Sequence, residues 1–247
     1  MCVGHKPHPF GNEMHTIACG LSTIMWFSQI VEGRDLPCKR GRLEFDDIGK
    51  TVGKMLRFTR PIWNCEKVVS MDSGFCVTKG LVELHKKGLF GAAVIKNRRY
   101  WPANIKGDAI DTHFSSKEVV NVDAVKQVED GVAYHVFFMK EPDYVMKLMT
   151  TYGELYPTDK RTQRKFKCSG VMNTKELMYT EVVANMFFID IKLMKKNRRH
   201  APISIERTWA TKYWPARFFA WYLAVSEVNA NYAQAYFQNS GDAPPQL

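Results

Sequence analysis

One acidic residue, Asp72, stands at the end of an apolar stretch that predicts a short strand, and a helical pattern begins a few residues later. Side chains at the carboxyl end of a strand in an open α/β sheet project into a crevice, where ligands usually bind. The next predicted strand, residues 89–95, runs into a basic and aromatic cluster made of Lys96, Arg98, Arg99, Tyr100 and Trp101. A carboxylate beside cations and aromatic rings suits chemistry on nucleic acid with a bound divalent metal.

The segment around Asp72 predicts the elements that must position it. Residues 65–70 have the pattern of a short strand, residues 78–87 that of a helix, and residues 89–95 that of a second strand. Gly88 is the expected stop of the helix. Strand, helix and strand in this order predict a partly parallel sheet in an α/β protein.

The rest of the chain predicts further elements around this unit. Residues 15–32 read as a hairpin, and residues 45–58 as an amphipathic helix stopped by Pro61. Residues 103–118 read as a polar connector, which two strands follow in an antiparallel insertion or extension. The remaining predictions are strands at 133–139 and 144–149, a basic exposed loop at 157–167, and helices at 176–196 and 217–237.

Composition narrows the class of partner. The formal net charge of +10 and a sequence pI near 9.3 favour an anionic partner, and nucleic acid is the commonest one, although merely soluble basic proteins share this balance. The six cysteines form no CxxC pair or zinc-finger spacing, which predicts reduced thiols in an intracellular protein. The longest apolar runs are too short or too interrupted to span a bilayer, so we expect no membrane partner.

Four segments resemble the transposase domain of piggyBac-type transposases. They read KPHPFGNEMHTIACG, MDSGFCVTKGLVELHKKGLFGAAVIKNRRYWP, VAYHVFFMKEPDYVMKLMTTYG and NRRHAPISIERTW. The similarity extends from Lys6 to about Phe237, and its most specific part is residues 72–102. The resemblance implies a ribonuclease H-like mixed sheet flanked by helices, with a β-rich insertion.

The resemblance also implies a metal-dependent chemistry. Transposases of this type use three aspartates to hold two divalent cations, usually Mg²⁺, which activate a hydroxyl or water at a DNA phosphate. Asp72 matches the second of these acids and is the expected catalytic and metal-binding residue. The first acid belongs to an opening strand upstream of the KPHPFGNE segment, and we expect the sheet to lack that strand.

The third acid has no clear counterpart. Related sequences carry it shortly before the NRRH-like motif, where this chain has Leu193 and Met194. Asp190 is the acid that the register offers, and on a continuous helix it would lie one turn earlier, about 5 Å along the axis. It is the second candidate catalytic residue, and the alternative is a solvated or salt-bridged helix residue.

The basic clusters are the predicted DNA contacts. The resemblance places Lys96, Arg98, Arg99 and Tyr100 near the acid crevice, together with a second cluster formed by Lys195, Lys196, Arg198 and Arg199. The alternative for these residues is a solvated basic face. For residues 160–167 phosphate contact, a nuclear import signal and a plain loop are all open.

Three functions follow as hypotheses. The first is a nuclear, transposase-derived DNA-binding protein whose catalytic acids are incomplete, with a homodimer implied by the resemblance. The others are a fragment of an active cut-and-paste transposase and a non-catalytic protein-interaction module. The predicted divisions are residues 1–102 and 171–238 for the transposase domain, 103–170 for the β-rich insertion with its basic loop, and 239–247 for a disordered tail.

Overall fold

The structure is a computed structural model that describes residues 14–20, 22, 24–30, 43–95, 105, 107–153, 157–168, 170–180 and 213–240. The chain divides into two compact units, one formed by residues 1–39 with 188–247 and the other by residues 40–187. Each unit is described separately below. None of the described helices is long and apolar enough to cross a membrane.

The first unit contains a hairpin and a long helix. Strands β1 (Met14–Ala18) and β2 (Met25–Ile30) pair antiparallel, as the sequence predicts. Helix α4 (Trp214–Ser240) confirms the predicted C-terminal helix and buries Trp221. The Asn229 side chain fixes the helix to the hairpin, since its Oδ1 accepts from Met25 N at 2.9 Å and its Nδ2 donates to Met25 O at 3.0 Å.

The second unit is built on a five-stranded mixed sheet with the strand order β3-β4-β7-β6-β5. β3 and β4 are parallel, with Val68 opposite Phe90 and Met71 opposite Ala93, while the other neighbouring pairs are antiparallel. The strands are β3 (Val68–Met71), β4 (Phe90–Val94), β5 (Val122–Glu129), β6 (Val132–Lys140) and β7 (Val145–Thr150). The strands predicted as an insertion or extension therefore pair within the same sheet as β3 and β4.

Helices pack against one face of this sheet. α1 (Lys50–Thr59) and α2 (Thr78–Lys86) enclose a core of Val52, Leu56 and Leu84, while α3 (Gly107–Ser115) buries Phe114 against Tyr134 and Phe138 of β6. The predicted α2 is confirmed. The predicted helix at 45–58 begins only at Lys50, because Asp46–Ile48 form a 3-10 turn and the backbone leaves helical geometry at Gly49.

A long hairpin packs against the other face. β8 (Pro157–Cys168) and β9 (Val171–Thr180) pair antiparallel, and Phe166 packs among apolar residues of β6 and β7. The side chains of β6 alternate between the two faces, with Val136 and Phe138 turned to the helices and Phe137 and Met139 turned to the core beside the hairpin. Every side chain in this part of β6 is therefore buried.

Three sequence predictions are wrong in this unit. The exposed loop at 157–167 is strand β8, and the predicted helix at 176–196 begins as strand β9, which continues to Thr180. The polar connector at 103–118 contains helix α3. In each case the long-range partner decides the conformation, which local propensity does not reveal. Residues 181–196 lie outside the described part of the chain.

Candidate functional site

The carboxyl end of β3 positions Asp72. The strand ends at Met71, the backbone turns with Phe75 N donating to Asp72 O at 2.9 Å, and α2 begins at Thr78. Cys76 and Thr78, which close this turn, are both buried. Asp72 itself is exposed, so its carboxylate reaches solvent from an anchored backbone.

One oxygen of the Asp72 carboxylate accepts hydrogen bonds from the next residue, Ser73. Oδ1 accepts from Ser73 N at 2.6 Å and from Ser73 Oγ at 3.1 Å. No partner is recorded for Oδ2 among the described residues. These bonds hold the carboxylate in one orientation, with Oδ2 available to a ligand.

The parallel pairing of β3 and β4 brings two segments to one edge of the sheet. Met71 lies opposite Ala93, so Asp72 is level with the end of β4 at Val94. The predicted contacts Lys96, Arg98, Arg99 and Tyr100 follow directly in the chain and lie outside the described residues. The second catalytic candidate, Asp190, and the cluster of Lys195, Lys196, Arg198 and Arg199 also lie outside them.

Two carboxylates on other elements of this unit contact basic side chains. Ile95 N donates to Lys147 O at 2.8 Å, and Lys147 Nζ lies 2.9 Å from Asp111 Oδ1 on α3. Asp123, at the start of β5, lies 3.1 Å from His113 Nε2. Asp111 and Asp123 therefore each have a basic neighbour of their own.

The described residues do not fit a two-metal site. Two dications a few ångströms apart need several oxygen ligands that neutralise and hold them. Within the described ranges no group of three or more His, Cys, Asp or Glu side chains converges as a metal site, so Asp72 stands as a single carboxylate there. We therefore derive no catalytic step through Mg²⁺.

Sequence reasoning missed the ion pairs that fix the β8–β9 hairpin. Arg164 forms an ion pair with the buried Glu141, and Lys175 Nζ lies 2.8 Å from Glu118 Oε2. The Lys175 hydrogen bond lowers the pKa of Glu118. The Ser-Gly pair at 169–170 was a local turn signal, but residues 161–167 contain a single apolar side chain, Phe166, and so lack the alternation that marks a strand.

The pKa values of two titratable side chains elsewhere in the second unit are shifted by their surroundings. Burial raises the pKa of the Cys76 thiol to about 12. Burial, and then the nearby charge of Lys126, lowers the pKa of His135 in β6. Cys76 belongs to the folded core, whereas His135 is partly buried.

The five-stranded mixed sheet flanked by helices is the α/β architecture expected from the sequence. Residues 2–231 match the model of the family described as Transposase IS4, and the chain therefore belongs to that family.

The solved structures include one similar in fold. It is the cryo-EM structure of a piggyBac transposase synaptic complex with hairpin DNA, with a TM-score of 0.68 and 11% sequence identity. The match covers all of this chain and 45% of the transposase chain, so this chain spans less than half of that protein. No curated protein sequence matches this chain. The predicted piggyBac-type resemblance and the mixed-sheet fold are confirmed.

Proposed function

We propose that this protein is a transposase-derived DNA-binding protein whose acid set for metal-dependent strand transfer is incomplete. The observation that carries the proposal is Asp72, an exposed carboxylate at the carboxyl end of β3, around which no group of three or more His, Cys, Asp or Glu side chains converges among the described residues. The DNA in the similar transposase structure supports DNA as the partner.

The sequence before the NRRH segment supports the incomplete acid set. Leu193 and Met194 occupy the positions where the family resemblance expects the third acid. Apolar side chains cannot ligate Mg²⁺, which takes oxygen ligands. In phosphoryl transfer the protein contributes chiefly positioning and electrostatic stabilisation, so loss of ligands removes most of the rate enhancement.

The basic residues supply the DNA-binding half of the proposal. The net charge of +10 attracts a polyanion, and the predicted contacts Arg98 and Arg99 come shortly after β4 in the sequence. A nuclear location and a homodimer are part of this proposal because DNA is the partner and the resemblance implies a dimer.

Nicking of DNA tests the catalytic half. The full chain is incubated with Mg²⁺ and duplex DNA that carries candidate terminal repeats, beside the Asp72→Asn variant. We expect both proteins to bind DNA and neither to cleave it above background. Cleavage by the wild-type chain that disappears in Asp72→Asn would establish an active transposase fragment and overturn the proposal.

Binding tests the other half. We expect retention of duplex DNA by the wild-type chain at low salt, with affinity falling steeply as salt rises. A chain that shows no salt-dependent retention on duplex or single-stranded DNA would instead be a protein-interaction module.

A further inference from the structure

We infer that the outward face of strand β8 is a binding site for the phosphate backbone of nucleic acid, separate from the Asp72 edge; this inference rests on the proposed DNA-binding function. Arg161, Lys165 and Lys167 form the site. Residues 157–180 contain six Lys or Arg and two acids, which gives this tenth of the chain a net charge of +4 out of +10.

The hairpin has two chemically different faces. On the inward face Phe166 is packed in the core, and the two inward cations are matched by acids of the second unit, Arg164 by Glu141 and Lys175 by Glu118. Arg164 lies opposite Lys175 in the register, so both ion pairs anchor the same level of the hairpin. The contacts of this face hold the hairpin in place. Its two cations, Arg164 and Lys175, are already paired with acids, so we do not assign them to nucleic-acid binding.

The outward face carries cations that the fold does not use. Arg161, Gln163, Lys165 and Lys167 are exposed and alternate with the inward residues. Lys165 and Lys167 have no ion-pair partner in the described part of the chain, and they lie opposite Thr174 and Met172. Among the side chains that the structure describes in the hairpin, the acid on this face is Glu176, 3.5 Å from Arg161 with both side chains exposed, and such a pair contributes little.

The geometry suits an extended polyanion. Alternate residues of a strand are about 6.7 Å apart, so the three cations and Gln163 form a linear row about 20 Å long. Both strands of the hairpin are hydrogen-bonded to each other, which holds the row in an extended conformation. A row of exposed cations on a fixed support can contact several successive phosphates, whereas an import receptor requires an extended segment that is free to leave the fold.

The test is the triple variant Arg161→Gln, Lys165→Gln and Lys167→Gln in the full chain. Binding to duplex DNA of random sequence is measured from roughly 50 to 200 mM salt, and the slope of log K against log salt is compared with the wild type. Each lost phosphate contact reduces the slope by about 0.9, so we expect a reduction of about 2 to 3.

The matched control is Lys50→Gln, Lys117→Gln and Lys126→Gln, which removes the same charge from three exposed lysines on other elements. We expect the slope of this control to stay within about 0.5 of the wild type. Equal slopes for the two triple variants would show a diffuse charge effect and overturn the site. A second variant, Glu176→Gln, should increase affinity, because it removes the acid beside Arg161.

Two outcomes separate the site from the proposed function. If the wild-type chain binds DNA with a steep salt slope and the β8 triple variant has the same slope, the site is wrong and the proposed function stands. If the wild-type chain does not bind DNA, both are wrong. A β8 triple variant that loses nuclear accumulation but keeps the wild-type slope assigns the segment to nuclear import and also overturns the site.

Discussion

At the scale of single residues, burial separates Cys76 from two other described cysteines, Cys65 and Cys168. Cys76 is 1% exposed beneath the Asp72 turn and its pKa is raised to about 12 by desolvation, whereas Cys65 and Cys168 are exposed. The thiolate is the nucleophilic form of cysteine, so the raised pKa of Cys76 and its burial both lower its reactivity. Cys76 is therefore a core residue of the turn that holds Asp72.

We predict that iodoacetamide at pH 8 labels Cys65 and Cys168 at least about 100-fold faster than Cys76 in the folded chain. Peptide mass spectrometry over a time course gives the three rates separately. In denaturing urea the three rates should converge, which is the internal control. Labelling of Cys76 at the rate of Cys65 without denaturant would show that the turn opens readily.

At the scale of elements, the turn between α2 and β4 is packed directly on another stretch of backbone. Gly88 has a φ of 68°, and its carbonyl accepts from Glu66 N at 2.9 Å. A Cβ at position 88 would lie 2.8 Å from the Cα of Asn64. The approach of β3 and the register of β4 therefore depend on the absence of a side chain here.

We predict that Gly88→Ala destabilises the chain by about 1 to 3 kcal/mol more than Gly131→Ala. Gly131 is the matched control, because its φ is 76° and a Cβ there meets nothing within 4 Å. Both variants carry the cost of a left-handed alanine, about 1 to 2 kcal/mol, so the difference isolates the contact with Asn64. Urea denaturation measures it, and equal losses would contradict the packing.

At the scale of the whole molecule, the sheet of residues 40–187 has buried central strands and more exposed outer strands. β6 and β7 each lie between two paired strands, and Val136, Met139, Leu148 and Met149 are fully buried. β3 and β5 are the edge strands, and Val128 on β5 is 65% exposed. Local opening of a fold begins where few buried contacts and paired neighbours restrain the backbone.

We predict that backbone amides of β6 and β7 exchange with deuterium more slowly than those of β5, by roughly tenfold or more. Hydrogen exchange followed by mass spectrometry compares peptides of β5 and β6 from the same digest. Because β5 and β6 form one hairpin and differ in the number of paired neighbours, the comparison isolates the effect of the second neighbour. Equal protection would mean that something covers the free edge of β5.

Local sequence pattern was enough to predict the unit that holds Asp72. The predicted strand, helix and strand between residues 65 and 95 are present as β3, α2 and β4, with the parallel pairing that strand-helix-strand order implies. Their signals are local, since an apolar stripe marks the helix and Gly88 marks its end. The position of Asp72 at the carboxyl end of β3 follows from the same pattern.

The predicted loop at 157–167 shows what local pattern could not supply. A strand with arginine and lysine on both faces looks solvated, and Arg164 turns inward because Glu141, distant in the chain, meets it there. Helix α3 is a second example. Two apolar residues, Ile110 and Phe114, are enough to hold this helix in place because they pack on the core of the sheet. Such partners are invisible to local periodicity.

The sequence by itself determined the family resemblance, the strand-helix-strand unit and the place of Asp72 at the end of its strand, because these depend on residues close together in the chain. Only the tertiary structure decided which acids are neutralised by which cations. That choice depends on contacts between residues far apart in the sequence, such as Lys147 with Asp111 and Arg164 with Glu141. Those pairings left Asp72 exposed at the sheet edge and a basic row on the outer face of β8.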